Sequence, residues 1–277
     1  MPHPLAAEFA AAPWKQISPA QTAAAAGVPT MLRRDECQLY YWLAQNTRGL
    51  GATVDLGTFA GGSTAYLAAG LAASGAPHHH LHGYDRFTAS EEARALHLSP
   101  NGIPLTDQED ILPLAQGFLS PWAQNISLHR GEIADLVWTG GPVELLVIDA
   151  AKSTHLADHI AAQFFPHLIP SQSLVVHQDF LHKQQPWLAV QMVRLAEYFT
   201  PLGLVARDCV VFACTKPVTP QALAHAATAE MDDDKLLSQI RAAAKLYDFI
   251  PKERFKEMID KLRANPGARV AWQLWQG

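Results

Sequence analysis

The run Asp55-Leu56-Gly57-Thr58-Phe59-Ala60-Gly61-Gly62-Ser63 places an acid, a set of glycines and a hydroxyl within one short turn. Val54, Asp55 and Leu56 read as the end of a strand, and Thr64-Ala65-Tyr66-Leu67-Ala68-Ala69 as the opening of a helix. Gly57 and Gly61 free the backbone to turn and let a ligand lie against the main chain. Asp55 falls where a strand's carboxyl end meets the crevice of an open α/β sheet, the usual ligand position. The spacing narrows the ligand. A dinucleotide fingerprint wants glycines at the first, third and sixth positions, and counting from Gly57 the third is Phe59. No lysine follows the glycines, which excludes a P-loop. An acid before the loop and no base within it suit a ligand that lacks a pyrophosphate and carries positive charge.

The elements that position this loop alternate in type. Leu39, Tyr40, Leu43 and Ala44 recur at helical spacing, so a helix over 35–47 precedes the strand at 53–56. A crossover helix over 61–73 ends at Gly75-Ala76-Pro77, and a second strand, 80–85, closes on another acid, Asp85. Residues 86–125 are the least regular, with turn signals at Pro100-Asn101-Gly102 and Pro104 and a helix expected over 107–118. Short strands follow at 126–130 and 143–149. The second of these is fully apolar toward its end, as a central parallel strand should be. A helix over 155–165, a strand over 173–176 and a helix over 187–199 come next. The β-rich runs 204–207 and 209–215 have no room for a crossover between them and must pair antiparallel.

Residues 1–30 read as a loosely ordered arm with one short helix, and 219–264 as amphipathic helices with Pro251 starting the last. That gives an arm (1–30), a binding domain (31–217) and a helical extension (218–277). The extension could pack on the sheet, lid the site or form the interface of a homo-oligomer.

The chain has 277 residues, 49% hydrophobic and 17% charged, enough for a large core. A net charge of -5 argues against a nucleic-acid partner. No stretch is long and apolar enough for a membrane span. Cys37, Cys209 and Cys214 have no metal-type spacing and suit a reducing cytoplasm. His78, His79, His80 and His82 match no helical metal motif and read as exposed polar residues at a strand entrance. Trp187, Trp272 and Trp275 read as packing residues.

The glycine segment resembles motif I of class I S-adenosylmethionine (SAM) dependent methyltransferases, most of all the catechol-type and macrocin-type O-methyltransferase branches. The resemblance runs over residues 30 to 215. It implies a Rossmann-like α/β fold with a mostly parallel seven-stranded sheet ending in an antiparallel hairpin. It also implies SAM as cofactor, with Asp55, Gly57, Phe59, Gly61 and Ser63 around its methionine part, Asp85 on the ribose and Asp149 completing the cofactor set. Arg86 adjoins that acid, and the Asp85-Arg86-Phe87 context resembles the macrocin-type branch. Glu132, in Gly131-Glu132-Ile133, loosely matches a segment beside the adenine.

Asp149-Ala150-Ala151-Lys152 resembles the Asp-x-x-Lys of catechol-type enzymes, in which the acid binds a divalent metal and the lysine deprotonates the acceptor hydroxyl. Such a hydroxyl is a poor nucleophile until it loses its proton, which a metal favours by lowering its pKa and a nearby base achieves directly. Gln178 and Asp179 stand where relatives carry metal ligands, so Asp149, Gln178 and Asp179 form the implied Mg²⁺ set. Gln178 departs from the pattern by replacing a carboxylate with a neutral carbonyl. A metal-free alternative uses His177 or His182 as base. The implied acceptor is a small hydroxylated molecule, a phenol or a sugar of a natural product. Transfer to nitrogen or carbon, or a non-catalytic SAM-binding role, stay open.

Overall fold

The structure, a computed structural model, describes residues 2–76, 79–103 and 109–275. In chain order it forms α1 (Ala6–Phe9), α2 (Arg34–Gln45), β1 (Ala52–Leu56), α3 (Gly62–Ser74), β2 (Leu81–Asp85), α4 (Glu91–His97), α5 (Leu112–Phe118), β3 (Ile126–Arg130) and β4 (Val143–Ile148). It continues with α6 (Thr154–Phe164), β5 (Leu174–His177), α7 (Pro186–Arg194), β6 (Phe199–Val205), β7 (Cys209–Cys214), α8 (Pro220–Ala226), α9 (Asp233–Leu246) and α10 (Lys252–Ala264). The strands make one seven-stranded sheet in the order β3-β2-β1-β4-β5-β7-β6. β1 and β3 pair parallel with β2, while β7 runs antiparallel to both β5 and β6. Only Ala206, Arg207 and Asp208 separate β6 from β7, too few for a crossover.

By its contacts the chain divides into two compact units. The amino-terminal unit comprises Ala11–Leu136 and Gly140–Leu146, and the carboxyl-terminal unit comprises Met1–Ala10, Val137–Thr139 and Val147–Gly277.

In the amino-terminal unit, α2 packs closely on α3. A Cβ on Gly70 would lie 2.3 Å from the Tyr41 carbonyl oxygen, so only glycine lets the helices approach this far. Gly75, in the left-handed region at φ 68°, ends α3. All six residues of β4 are buried. Its one charge, Glu144, accepts the backbone N–H of Arg48 at 2.6 Å and of Leu50 at 2.8 Å, which satisfies the buried carboxylate.

The described residues after β2 form more regular structure than the turn signals suggest. Ser90 caps α4, and Phe87, Ala89, Leu98, Ile111 and Ala115 form a buried cluster with Ala60. The helix expected over 107–118 starts at Leu112, with Asp110 accepting the Leu112 N–H. Pro104 and Asp107 lie outside the described residues, as do Pro77 and His78. His80, His82, His129 and Tyr84 form a half-buried ladder of rings, with His82 Nδ1 3.0 Å from His129 Nε2. His80 and His82 are therefore half-buried in a ring ladder rather than exposed at a strand entrance.

The carboxyl-terminal unit builds its core from Phe164, Phe165, Trp187, Phe212 and Tyr247. The helix expected over 187–199 stops at Arg194, because the chain turns and Phe199 already belongs to β6. Asp158 on α6 accepts the backbone N–H groups of Thr228 and Ala229 and the Gln191 amide, tying the chain after α8 to α6 and α7. The arm expected to be loosely ordered is packed. Phe9 is buried within this unit, and Trp14, Ala25 and Val28 are buried within the amino-terminal one. Trp187 is buried as expected, but Trp272 and Trp275 are 65% and 70% exposed, so these two are surface residues. Cys37, Cys209 and Cys214 are buried free thiols.

Candidate active site

The glycine loop of the amino-terminal unit is held in a conformation that side chains resist. Gly57 and Gly61 take φ values of 107° and 100°, and Phe59 between them sits at 49°. A non-glycine residue there costs on the order of 1 kcal/mol or more and persists only where its surroundings enforce it. The enforcing group is Asp85. Its Oδ2 accepts the Phe59 N–H at 2.9 Å, and its Oδ1 accepts the N–H of Phe87 at 2.6 Å. Phe87 is itself left-handed, at φ 54°. One carboxylate at the end of β2 thus pins two strained loops. Two bonds leave further lone pairs on its oxygens for a ligand.

Asp55, at the end of β1, is fully buried. Its Oδ2 accepts the Thr64 hydroxyl at 2.6 Å and the Ser63 hydroxyl at 2.7 Å. Its Oδ1 has no partner, and neither does the buried Oγ1 of Thr58. Burial pushes the Asp55 carboxyl up to about 6; the hydroxyls of Thr64 and Ser63 oppose that and Asp85 adds to it. A buried acid with one orphaned oxygen, behind a turn of strained backbone, fits a cationic ligand. SAM passes this test on the residues present. Arg86 and Glu132 meet only at 4.0 Å, with exposures of 66% and 61%, and make a solvent-screened pair of little energetic weight.

The carboxyl-terminal unit carries a second cluster. Lys152 Nζ donates to Asp149 Oδ1 at 2.9 Å and also to Asp179 Oδ2. The same Asp179 oxygen accepts Gln185 Nε2 at 2.7 Å. Local structure fixes these groups. Ser153 caps α6 directly after Lys152, and Trp187 Nε1 donates to the Ala151 carbonyl at 2.8 Å. The chain near the carboxyl end adds a strap, with Ala271 N–H on the Lys152 carbonyl and Arg269 accepting from Thr154 N–H.

The electrostatics reverse the expected role of the lysine. Burial would lower its pKa, but the carboxylates of Asp149 and Asp179 outweigh that and hold it above the ordinary lysine value. Lys152 is a cation here, not a free base. Asp179 is moved down from the usual carboxylate range, because Lys152, Gln185 and His182 outweigh the effect of burial.

His177 does not meet the expectation of a base. It is 1% exposed between Phe180 and Phe212, at ring distances of 6.0 and 5.9 Å, and burial lowers it to about 3. The expected metal set fares no better. The Lys152 ammonium lies against both of its carboxylates, Gln178 is neutral and buried, and among the described residues no group of three or more His, Cys, Asp or Glu could hold a metal ion. The donor chemistry does not fit Mg²⁺.

Sequence reasoning missed Gln185. Its Oε1 is buried without a partner, as is Nδ1 of His182 in the same loop. Pro186 gave a signal, since proline at the first helical position puts Gln185 at the cap of α7, in the loop beyond β5.

The strand order and the closing antiparallel hairpin are those of the class I methyltransferase fold. No family model matches the chain, and no curated protein matches it significantly. Among solved structures, that of the O-methyltransferase NovP is 15% identical with a TM-score of 0.53, over 68% of this chain and 82% of that one. The SAH-bound methyltransferase PaMTH1 from Podospora anserina is 14% identical with a TM-score of 0.49, over 76% and 95%. An rRNA methylase from Streptococcus thermophilus is 14% identical with a TM-score of 0.41, over 68% and 100%. At such identities the likeness to NovP shows a shared fold, and function must be argued from the site. No helix among the described residues is long and apolar enough to cross a membrane.

Proposed function

We propose that the protein is a SAM-dependent O-methyltransferase whose acceptor is a hydroxyl of a small molecule, a phenol or a sugar of a natural product. The observation that carries this reading is the orphaned Asp55 Oδ1 behind the strained Gly57–Gly61 turn, a buried carboxylate oxygen that the chain itself leaves without a partner. Gly57, Phe59, Gly61 and Ser63 would back the methionine part, and the remaining lone pairs of Asp85 would take the ribose hydroxyls.

SAM, when bound, supplies an electrophilic methyl group, whose bond to sulfur breaks with its electron pair left on the sulfur as the new C–O bond forms. The chain's own work is at the acceptor oxygen. Asp149, with a side chain 35% exposed, takes the hydroxyl proton. The Lys152 ammonium spends two of its donors on Asp149 and Asp179, and its third stabilises the developing oxyanion.

The test is transfer of labelled methyl from SAM to a panel of phenols and glycosides. Wild type should label some of them, and Lys152→Met should lower kcat by about 10²–10³-fold, the usual loss for one oxyanion donor. Heat of SAM binding without transfer to any acceptor in the panel would overturn the catalytic reading and favour a SAM-binding partner protein.

A further inference from the structure

The acid pair of the carboxyl-terminal unit already holds a cation. Lys152 Nζ contacts one oxygen of Asp149 and one of Asp179, and Gln185 Nε2 occupies the same Asp179 oxygen from another direction. A divalent ion would need those oxygens at about 2.0–2.1 Å in a near-octahedral shell. The ammonium and the amide block it by occupancy, and the ammonium also by like-charge repulsion. Gln178 contributes no compensating negative charge, and its backbone N–H is committed to the Ile148 carbonyl.

We propose that Lys152 is the built-in cation of the Asp149/Asp179 pair, that Gln185 holds Asp179 in that pairing, and that the cluster therefore works without a divalent metal. The inference rests on reading this cluster as the acceptor-activating group. It replaces a dissociable dication with a tethered single charge. The oxyanion then receives its stabilisation from a donor whose position is set by α6, the Ala151–Trp187 bond and the Lys152–Ala271 strap. A tethered charge is also insensitive to the supply of metal.

Mn²⁺ titration of the full chain, followed by loss of the free-ion paramagnetic resonance signal, tests this directly. Wild type should leave the signal unchanged at millimolar ion. Lys152→Met keeps an unbranched side chain one heavy atom shorter and removes the charge. It should bind Mn²⁺ at least about a hundredfold more tightly than wild type, because two contacting carboxylates are left without their cation. Adding Asp149→Asn to that variant should abolish the gain.

Saturable Mn²⁺ binding by wild type that disappears in Asp149→Asn would overturn the inference. So would a folded Lys152→Met variant that binds no better than wild type. Circular dichroism establishes folding. If Lys152→Met does not fold, Lys152→Gln takes its place under the same criterion, and the wild-type titration decides independently. Neither SAM nor an acceptor enters the titration, so this inference can fail while SAM binding stands, and SAM binding can fail while this inference stands.

Discussion

Asp55 and Asp85 divide the labour at the glycine loop. Asp85 holds backbone; Asp55 holds charge that the chain itself does not neutralise. Asp85→Ala removes acceptors from the Phe59 and Phe87 N–H groups and should lower stability by about 1–3 kcal/mol per unsatisfied group, together with SAM affinity. Denaturant titration and calorimetry check the two effects. Asp55 makes a pH prediction. Its folded pKa, about 6, lies above the ordinary 3.8, so the native state binds the extra proton between those values. Its contribution to stability is present below pH 3.8 and is lost as pH rises toward 6. Asp55→Asn should therefore gain on wild type across that window. Binding of a cation beside Asp55 pulls its pKa down, so SAM binding near pH 6 should release a proton. Calorimetry in buffers of different ionisation enthalpy reads that proton.

At the scale of elements, a tight constraint in the amino-terminal unit is the α2–α3 contact at Gly70. Gly70→Ala places a methyl 2.3 Å from the Tyr41 carbonyl oxygen and should cost about 1–3 kcal/mol through helix displacement, measurable by thermal or denaturant unfolding. In the carboxyl-terminal unit, β5 ends on a buried neutral histidine. His177 titrates at about 3 instead of 6.5, so its contribution is intact above pH 6.5 and is lost as pH falls toward 3. His177→Phe should flatten that acid limb while keeping the ring contacts with Phe180 and Phe212. An unchanged acid limb would assign it to His82, which burial lowers to about 4, or to other groups.

Across the whole molecule, what was legible in the sequence was what rests on local pattern. β4 declares itself by an apolar run, β1 and α3 by an acid and glycines, and the last hairpin by the few residues between its strands. The rest depends on residues far apart in the chain. Nothing local warns that Asp179, 27 positions away, shares the Lys152 ammonium, and that partnership turns a supposed base into a fixed cation. His177 looks like a base until Phe180, Phe212 and the burial of its ring come into view. The start of β6 hides behind Pro201, tolerated because the register shifts there between Pro201 and Gly203. The arm looked loose because it is rich in alanine and proline, yet Phe9 and Trp14 anchor it.

The most direct measurement is a crystal structure of the protein with S-adenosylhomocysteine, the demethylated product of SAM. The ligand should lie against Gly57, Phe59, Gly61 and Ser63, with its ribose hydroxyls on the Asp85 carboxylate and its amino group served by Asp55. Clear density for the ligand elsewhere on the chain, with that turn untouched, would contradict it.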